Sequence, residues 1–384
     1  MSTLFSPMPH LDSLSSFADV NAMRAGLAIR YPDYALEKLL KLVIVGAAPE
    51  GARLINLCQT HGIEVLAVCD GNYTKHGNDF CGHVVRPIAD VLSILGDGIP
   101  IIVASHKPLA AVNELRVLGA RVYAPFALLQ VLYPNIFSPH MFYADWLEDL
   151  WGNRTHYEAL KDILAGDVLS LRTLDAIIGF RLTMDVSLLE SVLDLDAFLS
   201  RDLVSFSADT TYIDGGAFDG DTIRRYIAAS DGQFSRVIAF EPDPITYLRL
   251  KSNFASEPRV EPMKVGLHRR KGILRFVSDA SRAALLSNVG EIEVPVISID
   301  EVLNGAPVSY IKLNIEGAEL DALEGARTSI LRHRPILAIS AYHAPDHLWR
   351  VPELINAMHS NYQLHLRQQD GGAVETVIYA IPRE

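Results

Sequence analysis

Cysteine is scarce. The 384 residues contain three, Cys58, Cys69 and Cys81, and no two of them form a Cys-x-x-Cys pair. An odd number without that spacing argues against a disulfide framework and against a structural zinc site, and it predicts a reducing, cytoplasmic setting. Long apolar runs are also missing. No stretch approaches the roughly 18 residues that a membrane-spanning helix requires. The first residues, Met1 to Ser16, carry neither a basic segment nor the apolar core of a secretory signal. No membrane partner is expected. Positive charge is in deficit: 34 Lys and Arg stand against 46 Asp and Glu, a formal net charge of -12. Sequence-independent nucleic-acid binding needs a cationic surface, so no nucleic-acid partner is expected either. Anionic ligands stay open, because glycine turns and helix N-termini bind them through backbone N–H groups.

What is present is ordinary globular material, 49% hydrophobic and 21% charged. The length suggests two or three domains at about 150 residues each. Residues 1–38 read as a helical arm, with Ala22, Met23, Leu27 and Ala28 at helical spacing and a turn at Tyr31-Pro32-Asp33. Residues 39–134 read as a small parallel α/β domain. A strand, Lys41 to Val45, runs into Gly46-Ala47-Ala48-Pro49-Glu50-Gly51 and a helix from Ala52 to His61; a second strand, Glu64 to Cys69, ends at Asp70. That is a βαβ unit with an acid closing its second strand, as in dinucleotide-binding folds. Strands at Pro100–Ser105 and Arg121–Pro125 flank a further helix, Pro108–Gly119. The first turn lacks G-x-G-x-x-G, and a domain without a redox cofactor explains it at least as well. This segment resembles the small Rossmann-like domain that precedes some sugar-modifying transferases. His106 and Lys107 follow a strand end, where ligands bind in such sheets, and a solvated loop explains them equally. Residues 135–205 have helical periodicity and read as a bridge between domains, one able to wall a substrate pocket.

Residues 206–384 carry the chemistry. Tyr212-Ile213-Asp214-Gly215-Gly216-Ala217-Phe218-Asp219-Gly220-Asp221-Thr222 is a strand, a glycine turn and the start of a helix. Such a turn brings backbone close to a nucleotide-like ligand. Further strands are expected at Arg236–Phe240, Val260–Val265, Tyr310–Glu316 and Ile336–Ser340, with a β-hairpin insertion at Gly272–Val277 and Glu293–Ile297. The fourth strand's helix is expected from Ala318 to Arg332, and two final strands at Tyr362–Leu366 and Glu375–Ala380. The predicted product is a parallel sheet finished by an antiparallel pair.

Seven ordered segments make a specific resemblance: YIDGGAFDGD from Tyr212, VIAFEPDP from Val237, VGLHRRKGILRF from Val265, ISIDEVL from Ile297, IKLNIEGAELDALEG from Ile311, PILAISAYH from Pro335 and ETVIYAIP from Glu375. Residues 211–384 resemble the FkbM family of S-adenosylmethionine-dependent methyltransferases. The resemblance implies a Rossmann-like class I methyltransferase sheet behind the smaller N-terminal α/β domain and helical bridge, and S-adenosyl-L-methionine as cofactor. The candidate cofactor residues are Asp214, Gly216, Ala217, Gly220, Asp221, Glu241, Asp243 and Val265. Asp214 ends the first strand, where a carboxylate can meet the cofactor's amino group directly or through water. Gly216 and Gly220 let backbone pass under its methionine part, and Phe218 stands where many such turns have another glycine. Glu241 lies 241 − 220 = 21 residues beyond Gly220, matching the acid about 20 positions on that accepts from ribose hydroxyls. Alone it would read as a helix N-cap. Asp243 either assists or caps the helix that Pro244 begins. Lys264-Val265-Gly266 resembles the segment beside the adenine.

At the acceptor end the candidates are Asn314, Glu316 and His343. Lys312, Asn314 and Glu316 alternate onto one side of their strand. Family members usually carry Asp where this chain has Asn314, and an amide is no base at neutral pH. Glu316 is either functional or a cap of the following helix. His343 follows the fifth strand, where an imidazole could take a proton; a structural role is the plainer reading of it. His343 and His347 with Pro345 between them are a poor helical metal pair, and no metal site is expected. The expected activity is methyl transfer to oxygen, with a small-molecule partner such as a sugar, nucleotide sugar or secondary metabolite. A homo-oligomer is compatible with all of this. Two other readings stand beside it: a nucleotide-sugar or dinucleotide enzyme working through the first α/β domain, and a non-catalytic protein that keeps the fold.

Overall fold

The computed structural model describes residues 7–276, 286–287, 292–372 and 374–383. Two α/β sheets, joined by helices, account for most of it. The first sheet contains β1 (Lys41–Val45), β2 (Glu64–Cys69), β3 (Asp79–Phe80), β4 (His83–Arg86), β5 (Ile101–Val103) and β6 (Tyr123–Pro125), in the order β3-β4-β2-β1-β5-β6. All neighbours pair in parallel except β3 with β4. Its central strands are Val- and Ile-rich and covered on both faces, as parallel strands require. The short β3–β4 hairpin and the helix Ile88–Leu95 after it were not expected from sequence, although Ile88, Val91, Leu92 and Leu95 recur at helical spacing in that helix. The first helix begins earlier than predicted, at Pro49, because proline's fixed φ suits the first helical turn.

The bridge is helical: Trp146–Gly152, Arg154–Ile163, Val168–Thr183 and Val186–Glu190. Asp167 caps the longest of these by accepting from Leu169 N at 3.1 Å. The N-terminal arm docks on that helix through Asp175, which accepts from the backbone N–H groups of His10 and Leu11 at 2.9 and 3.0 Å. The expected arm begins before the described residues, which start at residue 7.

The second sheet has the order β16-β17-β15-β14-β7-β8-β9, with β7 (Thr211–Gly215), β8 (Arg236–Phe240), β9 (Val260–Met263), β14 (Tyr310–Leu313), β15 (Ile336–Ser340), β16 (Tyr362–Gln368) and β17 (Thr376–Pro382). Only β17 runs against its neighbours, so the expected antiparallel final pair is present and β16 again runs with the parallel strands. Between β9 and β14 the chain builds a small separate sheet from β10 (Gly266–Leu267), β11 (Gly272–Phe276), β12 (Leu286–Ser287) and β13 (Ile292–Ile297), in the order β10-β13-β11-β12. This contains the hairpin predicted from sequence; Val277 lies outside the described residues.

Two differences from the predicted elements bear on the site. β14 ends at Leu313, which leaves Asn314 and Glu316 in the loop beyond the strand. The following helix is two, Glu319–Glu324 and Arg327–His333, broken at Gly325. A Cβ on Gly325 would lie 2.3 Å from the carbonyl oxygen of His268, so the small sheet presses on the chain there.

The two sheets meet near their carboxyl edges. The turn between β16 and β17 reaches the loop after β5: Lys107 pairs with Asp370 at 2.8 Å, and Leu109 N donates to Gly371 O at 3.1 Å. A Cβ on Gly372 would sit 1.9 Å from His106 O, so only glycine permits this approach.

Candidate active site

The glycine turn leaves β7 at the centre of the second sheet, between β14 and β8. Gly216 has φ +71° and Gly220 has φ +88°, the left-handed region that glycine enters without strain. Both are needed for internal packing. A Cβ on Gly216 would lie 1.9 Å from Asn314 O, and one on Gly220 would lie 2.1 Å from the Phe254 ring. Phe218, also at positive φ, is 43% exposed, so its ring stands out from the turn. Ala217 is buried; Asp221 is exposed at the first position of the helix Asp221–Ala229, where its Oδ1 accepts from Thr222 N at 2.8 Å.

For Asp214 the sequence allows contact with a ligand directly or through water. It is fully buried beneath the turn, and its Oδ1 accepts from Lys312 Nζ at 2.8 Å. Burial pushes its carboxyl up, against the pull of Lys312. The register explains the pairing, since Lys312 of β14 lies directly beside Asp214 of β7. The sequence placed Lys312, Asn314 and Glu316 on one side of a strand; the strand's early end separates Lys312 below from the other two at the edge.

Glu241 follows β8 and folds back onto the turn. Its Oε2 accepts from Phe218 N at 3.0 Å and its Oε1 from Asp243 N at 2.9 Å. Burial pushes its carboxyl up to about 7, although the N–H groups of Asp243 and Phe218 pull the other way. The helix Pro244–Asn253 is capped by Asp243, which accepts from Ile245 N and Thr246 N at 3.1 and 2.7 Å. Capping is thus the role the structure gives Asp243, and Glu241 is left for something else. Val265 is half-buried just past β9.

At the other side of the edge, Asn314 Oδ1 accepts from Ser340 Oγ at 2.8 Å and from Tyr342 OH at 3.0 Å. Glu316 has φ +54° and does not cap the next helix, whose N-cap is Ala318 without a side-chain bond. Its side chain is 43% exposed, and its Oε2 lies 3.6 Å from His343 Nε2.

His343 is fully buried, with Nδ1 2.9 Å from Glu319 Oε1. His347 Nδ1 lies 3.4 Å from the other oxygen of the same carboxylate. Burial would lower the His343 pKa, but Glu319 reverses this and holds it above its ordinary value. Burial likewise raises Glu319, and the two imidazoles more than reverse it, holding that carboxyl below the usual range. A proton acceptor must be reachable, and His343 is buried against Glu319, so the base role considered for it does not fit its place. Glu319 was missed from sequence. It looks like an ordinary acid in a helix's first turn, and only the fold brings the two histidines to it. Among the described residues no group of three His, Cys, Asp or Glu could hold a metal ion.

The start of the bridge packs against this edge. In the segment before the helix Trp146–Gly152, the Phe142 ring lies 5.5 Å from Tyr342 and 5.8 Å from His343, and Met141 Cε lies 3.7 Å from where a Cβ on Gly317 would be. The same segment is tied to the first domain. Arg53 Nη1 donates to Ser138 O at 2.7 Å, His140 N donates to Gln130 Oε1 at 3.0 Å, and His106 Nδ1 lies 2.6 Å from Tyr143 OH.

The first domain's own turn is internally satisfied. Asp70 Oδ2 accepts from Ala47 N at 2.9 Å and from Lys75 Nζ at 2.7 Å, and Lys75 also donates to Ala47 O at 3.1 Å. A lysine and the turn's own backbone thus take up the acid that would meet a ribose in a dinucleotide site.

The comparisons agree with the sheet order and the turn. Residues 214–368 match the family model described as the methyltransferase FkbM domain. The solved structure of methyltransferase FkbM from Methylobacillus flagellatus is similar over 98% of this chain and 100% of that one, with a TM-score of 0.72 and 24% identity, so the two share a fold from the first sheet to the last. Partial matches include an rRNA methylase from Streptococcus thermophilus (TM-score 0.33, 14% identity, 49% of this chain and 94% of that one). Aeropyrum pernix fibrillarin, solved with natively bound S-adenosyl-L-methionine, is another (TM-score 0.31, 10% identity, 47% and 71%); neither resemblance is close enough to argue from. No curated protein matches the chain. On the family match and the fold it accompanies, residues 214–368 are similar to an FkbM methyltransferase domain.

Proposed function

We propose that the chain is an S-adenosylmethionine-dependent methyltransferase acting on a hydroxyl of a small molecule, with a carbohydrate, nucleotide sugar or secondary metabolite as acceptor. Glu241 carries the reading. It is a buried carboxylate at the carboxyl end of β8, anchored to the glycine turn by Phe218 N and raised to about 7. A carboxylate accepts more than one hydrogen bond per oxygen, so both oxygens can still receive ribose hydroxyls. Val265 would flank the adenine, and the turn from Gly216 to Gly220 would underlie the methionine portion. The cofactor supplies a methyl group already activated by its sulfonium, so alignment of donor and acceptor provides much of the rate.

On the acceptor side, Asn314 and Tyr342 offer fixed polar contacts, and Met141 and Phe142 offer an apolar wall. Glu316 is the residue suited to receive the hydroxyl proton. It is a carboxylate with an accessible side chain at the edge, whereas Asn314 is no base and His343 is buried and paired. The acceptor class rests on the family's association with O-methylation and on the first domain's likeness to those of sugar-modifying enzymes.

Mass spectrometry of a denatured preparation tests the cofactor. S-adenosylmethionine or S-adenosylhomocysteine is expected to co-purify. A dinucleotide or sugar nucleotide in their place would move the chemistry to the first domain.

A further inference from the structure

Beneath the glycine turn lies a cation that methyl transfer leaves unused. Lys312 is 2% exposed, in the middle of the sheet. Its ammonium has three N–H donors. The structure gives it three acceptors: Asp214 Oδ1 at 2.8 Å, Gly215 O at 3.0 Å and Gly216 O at 2.8 Å. The Phe198 ring, 5.2 Å away, closes its apolar side. Burying a lysine is costly unless its charge is paired and its donors are used. Here both conditions are met, and two of the three acceptors are carbonyls of the turn itself. Each peptide unit is planar, so holding a carbonyl in place restrains the whole unit, its N–H included. Lys312 therefore sets the two peptides on which the turn begins. Asp214 is fully buried; its Oδ1 balances the ammonium, and its Oδ2 has no hydrogen-bond partner among the described residues.

We propose that Lys312 is the positioning residue of the cofactor turn. The proposal rests on the S-adenosylmethionine reading above. A merely structural ion pair needs only opposite charge. The clamp needs donors converging on two carbonyls as well, and that difference is measurable.

Two variants separate the cases. Asp214→Asn with Lys312→Met removes both charges together and leaves no buried ion unpaired. Lys312→Arg keeps the charge, but a planar guanidinium cannot reproduce three converging ammonium bonds. Calorimetry with S-adenosylhomocysteine is run on wild type, Asp214→Asn, the double variant and Lys312→Arg, each checked by thermal unfolding. The double variant is expected to bind at least about tenfold more weakly than Asp214→Asn alone, and Lys312→Arg at least about tenfold more weakly than wild type, the scale of losing a hydrogen bond from a charged donor. Equal affinity in the single and double variants, or wild-type affinity in folded Lys312→Arg, would overturn the proposal; should one variant not fold, the other decides. Absence of binding by the wild type would instead remove the cofactor reading, and this proposal with it.

Discussion

Glu241 owes its raised carboxyl pKa to burial, and that gives the site a pH signature. Ribose hydroxyls donating to it would favour the ionised form. Binding then releases a proton wherever the free carboxyl is protonated. Affinity for S-adenosylhomocysteine should rise with pH up to about 7 and fall by up to about tenfold per pH unit below it. Calorimetry across that range checks this, and Glu241→Gln should flatten the profile. The histidine pair predicts stability. His343 is raised above its ordinary 6.5, so its contribution is full below that value and is lost as pH rises through the folded value. Glu319 is lowered from 4.5, so its contribution is full above that value and is lost as pH falls through the folded one. Between the two values both are present. There Glu319→Gln should cost about 3–5 kcal/mol by urea unfolding, the usual loss when a buried charge is left unpaired. Of these residues Glu241 was legible in sequence, because its distance from Gly220 is a local regularity. Glu319 was not, because its partners arrive from another strand's end.

The glycine turn was legible as a strand, turn and helix, yet the reason for its glycines was not. The sequence suggested space for a ligand. The structure shows Asn314 O pressing on Gly216 and the Phe254 ring on Gly220. Gly216→Ala would add both a strained φ and a clash with backbone. It should cost at least about 2 kcal/mol by thermal or urea unfolding, with weaker cofactor binding as a consequence. The early end of β14 was equally hidden. Alternation predicted one face for Lys312, Asn314 and Glu316, and it fails where the strand stops. The result is a division of labour: Lys312 braces the turn from below, while Asn314 and Glu316 stand at the edge.

At the scale of the molecule, both α/β sheets, the bridge and the final antiparallel pair could be read from hydrophobic periodicity. How they dock could not, since it depends on close approach at a few points. Gly372 against His106 is one. Gly372→Ala should force the two loops apart and cost about 1–3 kcal/mol of stability, read as a lower melting temperature, with S-adenosylhomocysteine affinity unchanged because the glycine turn lies elsewhere. The segment from Ser138 to Tyr143 is another, tied to Arg53, Gln130 and His106 on one side and packed on Tyr342 and His343 on the other. Through it the first domain supports the edge that carries Tyr342 and His343. No described helix is long and apolar enough to cross a membrane. The central claim is that the second sheet seats S-adenosylmethionine on the turn beside Glu241. Titrating the full chain with S-adenosylhomocysteine in a calorimeter tests it most directly. Saturable binding at a single site, weakened at least about tenfold by Glu241→Ala, is the predicted result; no binding by the wild type, or wild-type affinity in the folded variant, would contradict it.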